Sequence, residues 1–128
     1  MNRGGKSRLR LRVLWELLRY DALSKVSGFA GVRRHMRPAR APADTSPAGV
    51  NAICQAVACM TSFYWKPLLC LQRSIVTARV LRANGIQADV VIGYRAYPFF
   101  SHAWVEIGGR VVNDSSAYQR KLQLLDRF

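Results

Sequence analysis

The chain has 128 residues, half of them apolar, and its 20 Lys and Arg against 7 Asp and Glu give a net charge of +13. A chain of this length forms one small domain with a modest core. No apolar run approaches the roughly 20 residues of a membrane-spanning helix, so membrane association is not expected. The charge favours acidic partners, namely an anionic peptide, nucleic acid or an acidic protein face, and composition does not choose among them.

The cysteines and the N-terminus predict where the protein resides. Cys54, Cys59 and Cys70 are an odd number at spacings unlike those of a disulfide framework, which favours a reducing compartment. Charged residues such as Arg10 and Glu16 interrupt the region that would be apolar in a signal peptide, so export is not expected. The sequence therefore predicts a cytoplasmic protein.

The N-terminal part of the chain is basic. Apolar residues recur at helical spacing from Leu9 to about Lys25, with arginines on the other face, which predicts a basic amphipathic helix. The favoured interpretation packs its leucines on the domain, and the alternative is a docking helix for an acidic partner or a membrane surface. Residues 27–49 are rich in Gly and Pro and predict a loop or linker. We therefore expect residues 1–45 to form a basic helix and linker, and residues 46–128 to form the main domain.

A helix is predicted at the start of the main domain. Ser46 and Pro47 suit its N-cap and first turn, and it should reach about Phe63. Cys54 and Cys59 fall inside this helix, five residues apart, which does not place them on one helix face. Both are expected to be small, buried and inert.

A second, strongly apolar helix is predicted from about Pro67 to Ala83, closed by Asn84 and Gly85, and is expected to be buried on most sides. Cys70 lies in its first turn. Free backbone N–H groups and the helix dipole favour a thiolate there and can donate to an oxyanion. Taken alone, Cys70 fits a core cysteine as well as it fits a nucleophile.

The rest of the domain has the periodicity of β-strands. Residues 89–95 predict a central strand, and residues 101–107 alternate so that His102 and Trp104 share one face. The pattern of residues 117–128 fits either a short strand or a helix. Helices followed by such strands predict an α+β fold, with the N-terminal helices packed on a small antiparallel sheet.

A Gly-Gly pair after Ile107 predicts a two-residue hairpin turn. With that turn, Ile107 pairs with Arg110, and the return strand brings Asp114 beside Ala103. Asp114 then lies on a strand adjacent to that of His102, within reach of the imidazole. The sequence thus supplies the thiol, the imidazole and the carboxylate that a cysteine nucleophile, its base and an orienting acceptor require.

Several separated motifs recur together in this part of the chain. In chain order they are Cys70-Leu71-x-Arg73-Ser74, Gly85-Ile86-x-Ala88, Val91-Ile92-Gly93-x-Arg95, Pro98-Phe99, His102-Ala103-Trp104-Val105-Glu106 and Asn113-Asp114. Together they resemble the leader peptidases of lasso-peptide biosynthesis, the microcin-J25-type maturation proteases of the transglutaminase-like, papain-related superfamily. The resemblance covers about residues 65–120.

The resemblance implies a transglutaminase-like core in which Cys70 is the nucleophile, His102 the base and Asp114 the orienting acid. It implies hydrolysis that removes the leader from a ribosomally made precursor peptide, at a site that accepts a threonine near the leader's end, with no cofactor. A separate leader-recognition protein is the implied partner, and the ATP-dependent macrolactam cyclase is a further candidate. The aromatic residues expected to wall the substrate site are Trp65, Tyr97, Phe99, Phe100 and Trp104.

Three other functions stay open at this point. The same triad can transfer an acyl group to an amine, as transglutaminases do. The three side chains could ligate zinc, although no close-spaced pair such as C-x-x-C is present. The chain could also be a basic module that binds peptide or nucleic acid, but its aromatic residues are not interleaved with the basic ones. We therefore predict neither a metal nor a nucleic acid as a partner.

Overall fold

The computed structural model describes residues 3–36, 47–64 and 69–128. Its helices and strands, in chain order, are α1 (Arg3–Arg34), α2 (Pro47–Phe63), α3 (Cys70–Ala83), β1 (Asp89–Arg95), β2 (Phe100–Ile107), β3 (Arg110–Val111), α4 (Ala117–Lys121) and β4 (Gln123–Arg127). Three long helices and a four-stranded antiparallel sheet give the α+β fold predicted from the sequence. The predicted N-cap Ser46 and helix start Pro67 lie outside the described residues. Within the described ranges, no helix combines the length and the hydropathy that crossing a membrane requires.

Helix α3 lies at the centre of the fold. It contacts both other long helices, α1 and α2, and it also contacts the two central strands, β1 and β2. Its residues Ile75, Val76 and Leu81 are completely buried. The prediction of a helix buried on most sides is therefore confirmed. Because neighbours on several sides fix the orientation of α3, its first residue is held at a defined place beside the sheet.

The hairpin that carries part of the site follows the sequence prediction. Ile107 pairs with Arg110, and Gly108 and Gly109 both have the positive φ angles that a tight two-residue turn needs. Residues 117–128, whose pattern fitted either helix or strand, form both: α4 and then β4, which pairs with β1. The sheet therefore has the order β3-β2-β1-β4.

The return strand is shorter than predicted. Strand β3 ends at Val111, so Asp114 lies in the loop after it and not on a strand. The prediction of a strand position for Asp114 is wrong for a local reason. The Val105 N–H donates to the side-chain Oδ1 of Asn113 at 2.8 Å, where a continuing ladder would offer a backbone carbonyl.

The first helix is longer than predicted. Residues 27–34 were expected to be a loop and are mostly helical, and the non-helical Gly28 (φ 66°) marks a kink between two helical segments of α1. Val32 is buried in the core, and Arg33 Nε lies 3.0 Å from Asp126 Oδ2 of β4. The loop prediction is wrong for this segment because these long-range contacts outweigh the low helix propensity of its glycines.

An internal ion pair decides which face of α1 is buried. Leu17 is buried on the domain, whereas Trp15 is 61% exposed and Leu18 is 47% exposed. Glu16 faces inward with a side chain only 1% exposed and lies 2.6 Å from Arg79 Nε of α3. A buried carboxylate needs a paired charge, so this contact fixes the rotation of the helix. The favoured prediction, that the leucines of this helix pack on the domain, is wrong for Leu11 and Leu18, which are 66% and 47% exposed.

Adding one methyl group at Gly93 of β1 tests how closely Trp104 and Leu122 pack against this strand. A Cβ at Gly93 would lie 2.6 Å from Trp104 Cη2 and 2.8 Å from Leu122 Cβ. We expect Gly93→Ala to lower the free energy of unfolding in urea by about 1–3 kcal/mol, because the buried Trp104 has little room to move away. Gly4→Ala, at an exposed helical position of α1, is the matched control and should change stability by less than about 1 kcal/mol. A Gly93→Ala protein as stable as the parent would contradict this packing.

Candidate active site

Cys70 is the first residue of α3, in the first turn as predicted. Leu69 precedes it as the N-cap with an extended backbone, φ −75° and ψ 155°. The first amides of a helix have no partner inside the helix, and within the described residues no side chain caps this end. The amides of the first turn of α3 are therefore available as hydrogen-bond donors near the half-buried thiol of Cys70.

A cavity of about 310 Å³ opens beside Cys70, a volume at the lower end of the range for small-molecule sites. Helix α3 lines it with Cys70 and Arg73, α2 lines it with Thr61 and Ser62, and the loop after β3 lines it with Asp114. The thiol and the carboxylate of the predicted site thus face one partly polar cavity.

His102 and Asp114 are in direct contact, as the hairpin argument predicted. His102 Nε2 lies 2.6 Å from Asp114 Oδ2, and the two side chains are 13% and 28% exposed. The other carboxylate oxygen, Oδ1, accepts the backbone N–H of Ser115 at 2.7 Å. Because both oxygens of Asp114 are engaged, its carboxylate can hold the imidazole in one orientation.

Aromatic rings surround the His102 imidazole. Tyr118 of α4 lies closest, with ring centroids 4.0 Å apart. Phe100 and Trp104 stack near it at 6.2 Å and 6.3 Å. The sequence analysis missed Tyr118, because the fold of residues 117–128 was left open and no pattern tied this residue to the site. The rings restrict rotation of the imidazole and leave it only slightly exposed to water.

Other residues of the sheet hold the Trp104 side chain in place. It is 2% exposed, and its Nε1–H donates to Glu106 Oε2 at 2.7 Å. Arg127 of β4 lies 3.1 Å from the other oxygen of Glu106 and neutralises this buried carboxylate. Trp104 therefore offers no free surface to a substrate and acts as a rigid support beside His102.

The other aromatic residues predicted as substrate walls are dispersed. Tyr97 and Phe99 lie in the turn between β1 and β2 and are largely exposed, and Phe100 is partly exposed at the start of β2. Trp65 lies outside the described residues. None of the described members of this set lines the cavity beside Cys70, whose walls come from α2, α3, Ala103 and the loop after β3.

Asn113 joins the loop of Asp114 to α3. Its Oδ1 accepts the Val105 N–H at 2.8 Å, and its Nδ2 donates to Ser74 Oγ at 3.4 Å. Ser74 is one helical turn after Cys70, so one amide connects the helix that carries the thiol with the hairpin and loop that carry the other two groups. The Asn113-Asp114 motif was the sequence signal for this residue, but no pattern indicated its role.

Cys54 is a second thiol that lines the same cavity. Burial raises the pKa of Cys54 above its ordinary value, so its thiol stays protonated near neutral pH. Its Sγ–H donates to the backbone oxygen of Val112 at 3.7 Å. These properties are those of the inert cysteine that the sequence predicted at this position.

One hydrogen bond and one shared cavity relate the three predicted site residues. His102 bonds to Asp114, and Asp114 shares the cavity with Cys70. In the part of the chain that the structure describes, no hydrogen bond joins Cys70 to His102. Over the same residues, no three His, Cys, Asp or Glu side chains are grouped as metal ligands.

Comparison with known proteins agrees with the resemblance found in the motifs. Over 56 residues, the chain is 45% identical to the Microcin J25-processing protein McjB of Escherichia coli. That segment is 44% of this chain and 27% of McjB, so the chain spans about a quarter of this curated relative. No solved structure matches the chain significantly. The profile of the transglutaminase-like superfamily matches residues 14–125, most of the chain. The chain therefore belongs to the transglutaminase-like superfamily.

Proposed function

We propose that this protein is a cytoplasmic cysteine peptidase that removes the leader from a ribosomally synthesised lasso precursor peptide. The observation that carries the proposal is the 2.6 Å contact between His102 Nε2 and Asp114 Oδ2, beside a cavity that Cys70 lines. The match to McjB supports the substrate class, because the name of that relative describes the processing of microcin J25.

The contact with Asp114 determines which nitrogen of His102 acts as the base. An ionised carboxylate only accepts hydrogen bonds, so Nε2 carries the proton and Nδ1 keeps its lone pair. In the first step Nδ1 takes the proton of Cys70, and Asp114 stabilises the imidazolium that forms. This transfer requires Cys70 Sγ and His102 Nδ1 to approach within hydrogen-bond reach, a contact that often tightens only when the substrate binds.

The bond changes after this proton transfer follow from the same groups. The Cys70 thiolate attacks the carbonyl carbon of the last leader residue, and the oxygen takes up negative charge. Backbone N–H groups at the start of α3 stabilise that oxyanion. The imidazolium of His102 then protonates the amine of the departing core peptide, and water hydrolyses the acyl-enzyme to release the leader.

The proposal includes separate partner proteins. A leader-recognition protein would deliver the precursor, and an ATP-dependent macrolactam cyclase would use the amine that hydrolysis frees. The net charge of +13 suits an acidic peptide or an acidic protein face. We assign residues 46–128 to the peptidase domain and residues 1–45 to a basic helix and linker, and because Val13 and Leu17 of α1 belong to the same core as Ile75 of α3, the two parts form one compact domain.

The family match favours one second candidate, acyl transfer. In that reaction an amine, and not water, takes the acyl group from Cys70. The two reactions leave different products, because hydrolysis gives a leader with a free carboxylate, whereas transfer gives a leader amide that is heavier by the mass of the amine less that of one water. Mass spectrometry of the products from a lasso precursor peptide, with its leader-recognition protein present, distinguishes the two reactions.

Cysteine substitutions test the assignment of the nucleophile. We expect Cys70→Ala and His102→Ala each to reduce leader release by about 10³-fold or more, because either change removes half of the reacting pair. Circular dichroism should show the fold retained. Cys54→Ala and Cys59→Ser are the matched controls and should keep activity, and equal losses in all four variants would contradict the assignment.

Asp114→Asn tests the orienting role of the carboxylate. The amide can hold the imidazole but does not stabilise its charged form, so kcat should fall by about 100-fold without vanishing. Initial rates of leader release measure the effect. Asp89→Asn, a carboxylate on β1 that pairs with Arg127 at 3.5 Å, is the control and should react at the parent rate. A parent rate in Asp114→Asn would refute the role.

Asn113→Ala tests the link between α3 and the loop. Losing both bonds of the amide should misalign Cys70 with the other two groups, so kcat should fall by about tenfold while KM changes by less than about threefold. Ser74→Ala removes only the 3.4 Å bond and should have a smaller effect. A raised KM with unchanged kcat in Asn113→Ala, or equal losses in both variants, would contradict a positioning role.

A further inference from the structure

Apolar side chains form a stripe on the outward face of α1. We define the α1 stripe as Leu11, Trp15, Leu18, Ala22 and Val26, all of which are exposed. Leu11 and Val26 are 66% and 85% exposed. Spacings of three and four residues place the five side chains on one face of the helix. The inward-facing Glu16 keeps the stripe outward, because its pairing with Arg79 fixes the rotation of the helix.

The α1 stripe is hollow at its middle. Trp15, Leu18, Leu23 and Val26 surround the short side chain of Ala22, and the hollow has a volume of about 510 Å³ with apolar walls. Helix-packing interfaces are built from such holes, each of which receives a side chain of the facing element. The shape of the hollow therefore suits a large apolar side chain of another protein.

Positive charge surrounds the stripe. Arg8 and Lys25 are exposed near its two ends, and Arg19 lines the hollow. The two carboxylates of α1, Glu16 and Asp21, are both buried. The outward face of α1 thus presents an apolar contact surface and exposed cations. It has no exposed carboxylate over the described residues of this helix.

We propose that the α1 stripe is the docking site for a partner protein that presents a large apolar side chain flanked by carboxylates. Charge complementarity selects this occupant over a second copy of the chain, which would bring like charges together. Residues 37–46 of the same chain are a poor match, since they contain two arginines, one aspartate and no large apolar side chain. The docking site goes beyond the proposed peptidase activity and does not depend on it.

Two synthetic helical peptides of about 21 residues serve as the probes, both with leucine at heptad positions a and d. One has glutamate at the flanking e and g positions, and the other has lysine there. Each is labelled with a fluorophore and titrated with the full chain, and anisotropy reports binding. We expect the glutamate peptide to bind, with affinity falling by about tenfold or more from 50 to 500 mM salt, and the lysine peptide not to bind.

Matched variants localise the binding. Ala22→Glu places a carboxylate in the hollow and should weaken binding of the glutamate peptide by about tenfold or more. Leu124→Glu changes a side chain of β4 that is 61% exposed, as Trp15 is, and should bind like the parent chain. Equal weakening in both variants, equal binding of both peptides, or no binding of the glutamate peptide would overturn the proposal.

Two further measurements test the other occupants. Sedimentation with anionic phosphatidylglycerol vesicles that Ala22→Glu abolishes would assign the stripe to a membrane surface and overturn the proposal. A dimer in analytical ultracentrifugation that Ala22→Glu dissociates would assign it to a second copy and equally overturn it. None of these readouts involves peptide cleavage, so failure of the docking site and failure of the peptidase proposal are distinguishable.

Discussion

The hydrogen bond from the Val105 N–H to the side chain of Asn113 is the interaction on which the geometry of the candidate site depends. It replaces one of the two backbone bonds of the next β2–β3 pair, whose other bond runs from the Val112 N–H to the Val105 oxygen at 3.0 Å. Beyond this pair the chain leaves the sheet, and Asp114 lies in a loop beside His102. The same amide donates to Ser74 of α3. One side chain thereby positions the carboxylate and connects it to the helix that begins at Cys70.

Three acidic residues of this basic chain, Glu16, Asp21 and Glu106, are buried and form contacts inside the fold. Glu16 of α1 pairs with Arg79 of α3, and Glu106 of β2 pairs with Arg127 of β4. Asp21 accepts the side-chain N–H of Gln72. Buried carboxylates need such partners, and each of these contacts joins two elements of the fold. The consequence is a surface whose charge, over the described residues, is dominated by arginine and lysine, which favours acidic partners both at the site and along α1.

The sequence was most informative where structure is local. The Gly-Gly turn predicted the pairing of Ile107 with Arg110, and the apolar helix with its early cysteine predicted the place of Cys70. Long-range contacts could not be predicted in this way. The ion pair of Arg33 with Asp126 joins residues 93 positions apart, and no local pattern indicates this contact or the burial of Val32 in the same segment.

The same limit applies to the surroundings of the imidazole. The Tyr118 ring of α4 lies 4.0 Å from that of His102, and no periodicity in residues 117–128 indicates this contact. The buried Glu16 reversed part of the expected orientation of α1, because an amphipathic pattern assigns a charged residue to the outside. Hydrophobic periodicity does not indicate which carboxylate forms a buried ion pair with an arginine.

The reacting pair of Cys70 and His102 can be tested without a precursor peptide. Iodoacetamide alkylates thiolates, and mass spectrometry of digested protein gives the rate at each cysteine near pH 7. If His102 takes the proton of Cys70, Cys70 is alkylated at least about tenfold faster than Cys54 in the parent chain, and His102→Ala lowers the rate at Cys70 by about tenfold or more while the rate at Cys54 stays the same. Similar rates at Cys70 and Cys54 in the parent chain, or a Cys70 rate unchanged by His102→Ala, would contradict the pairing.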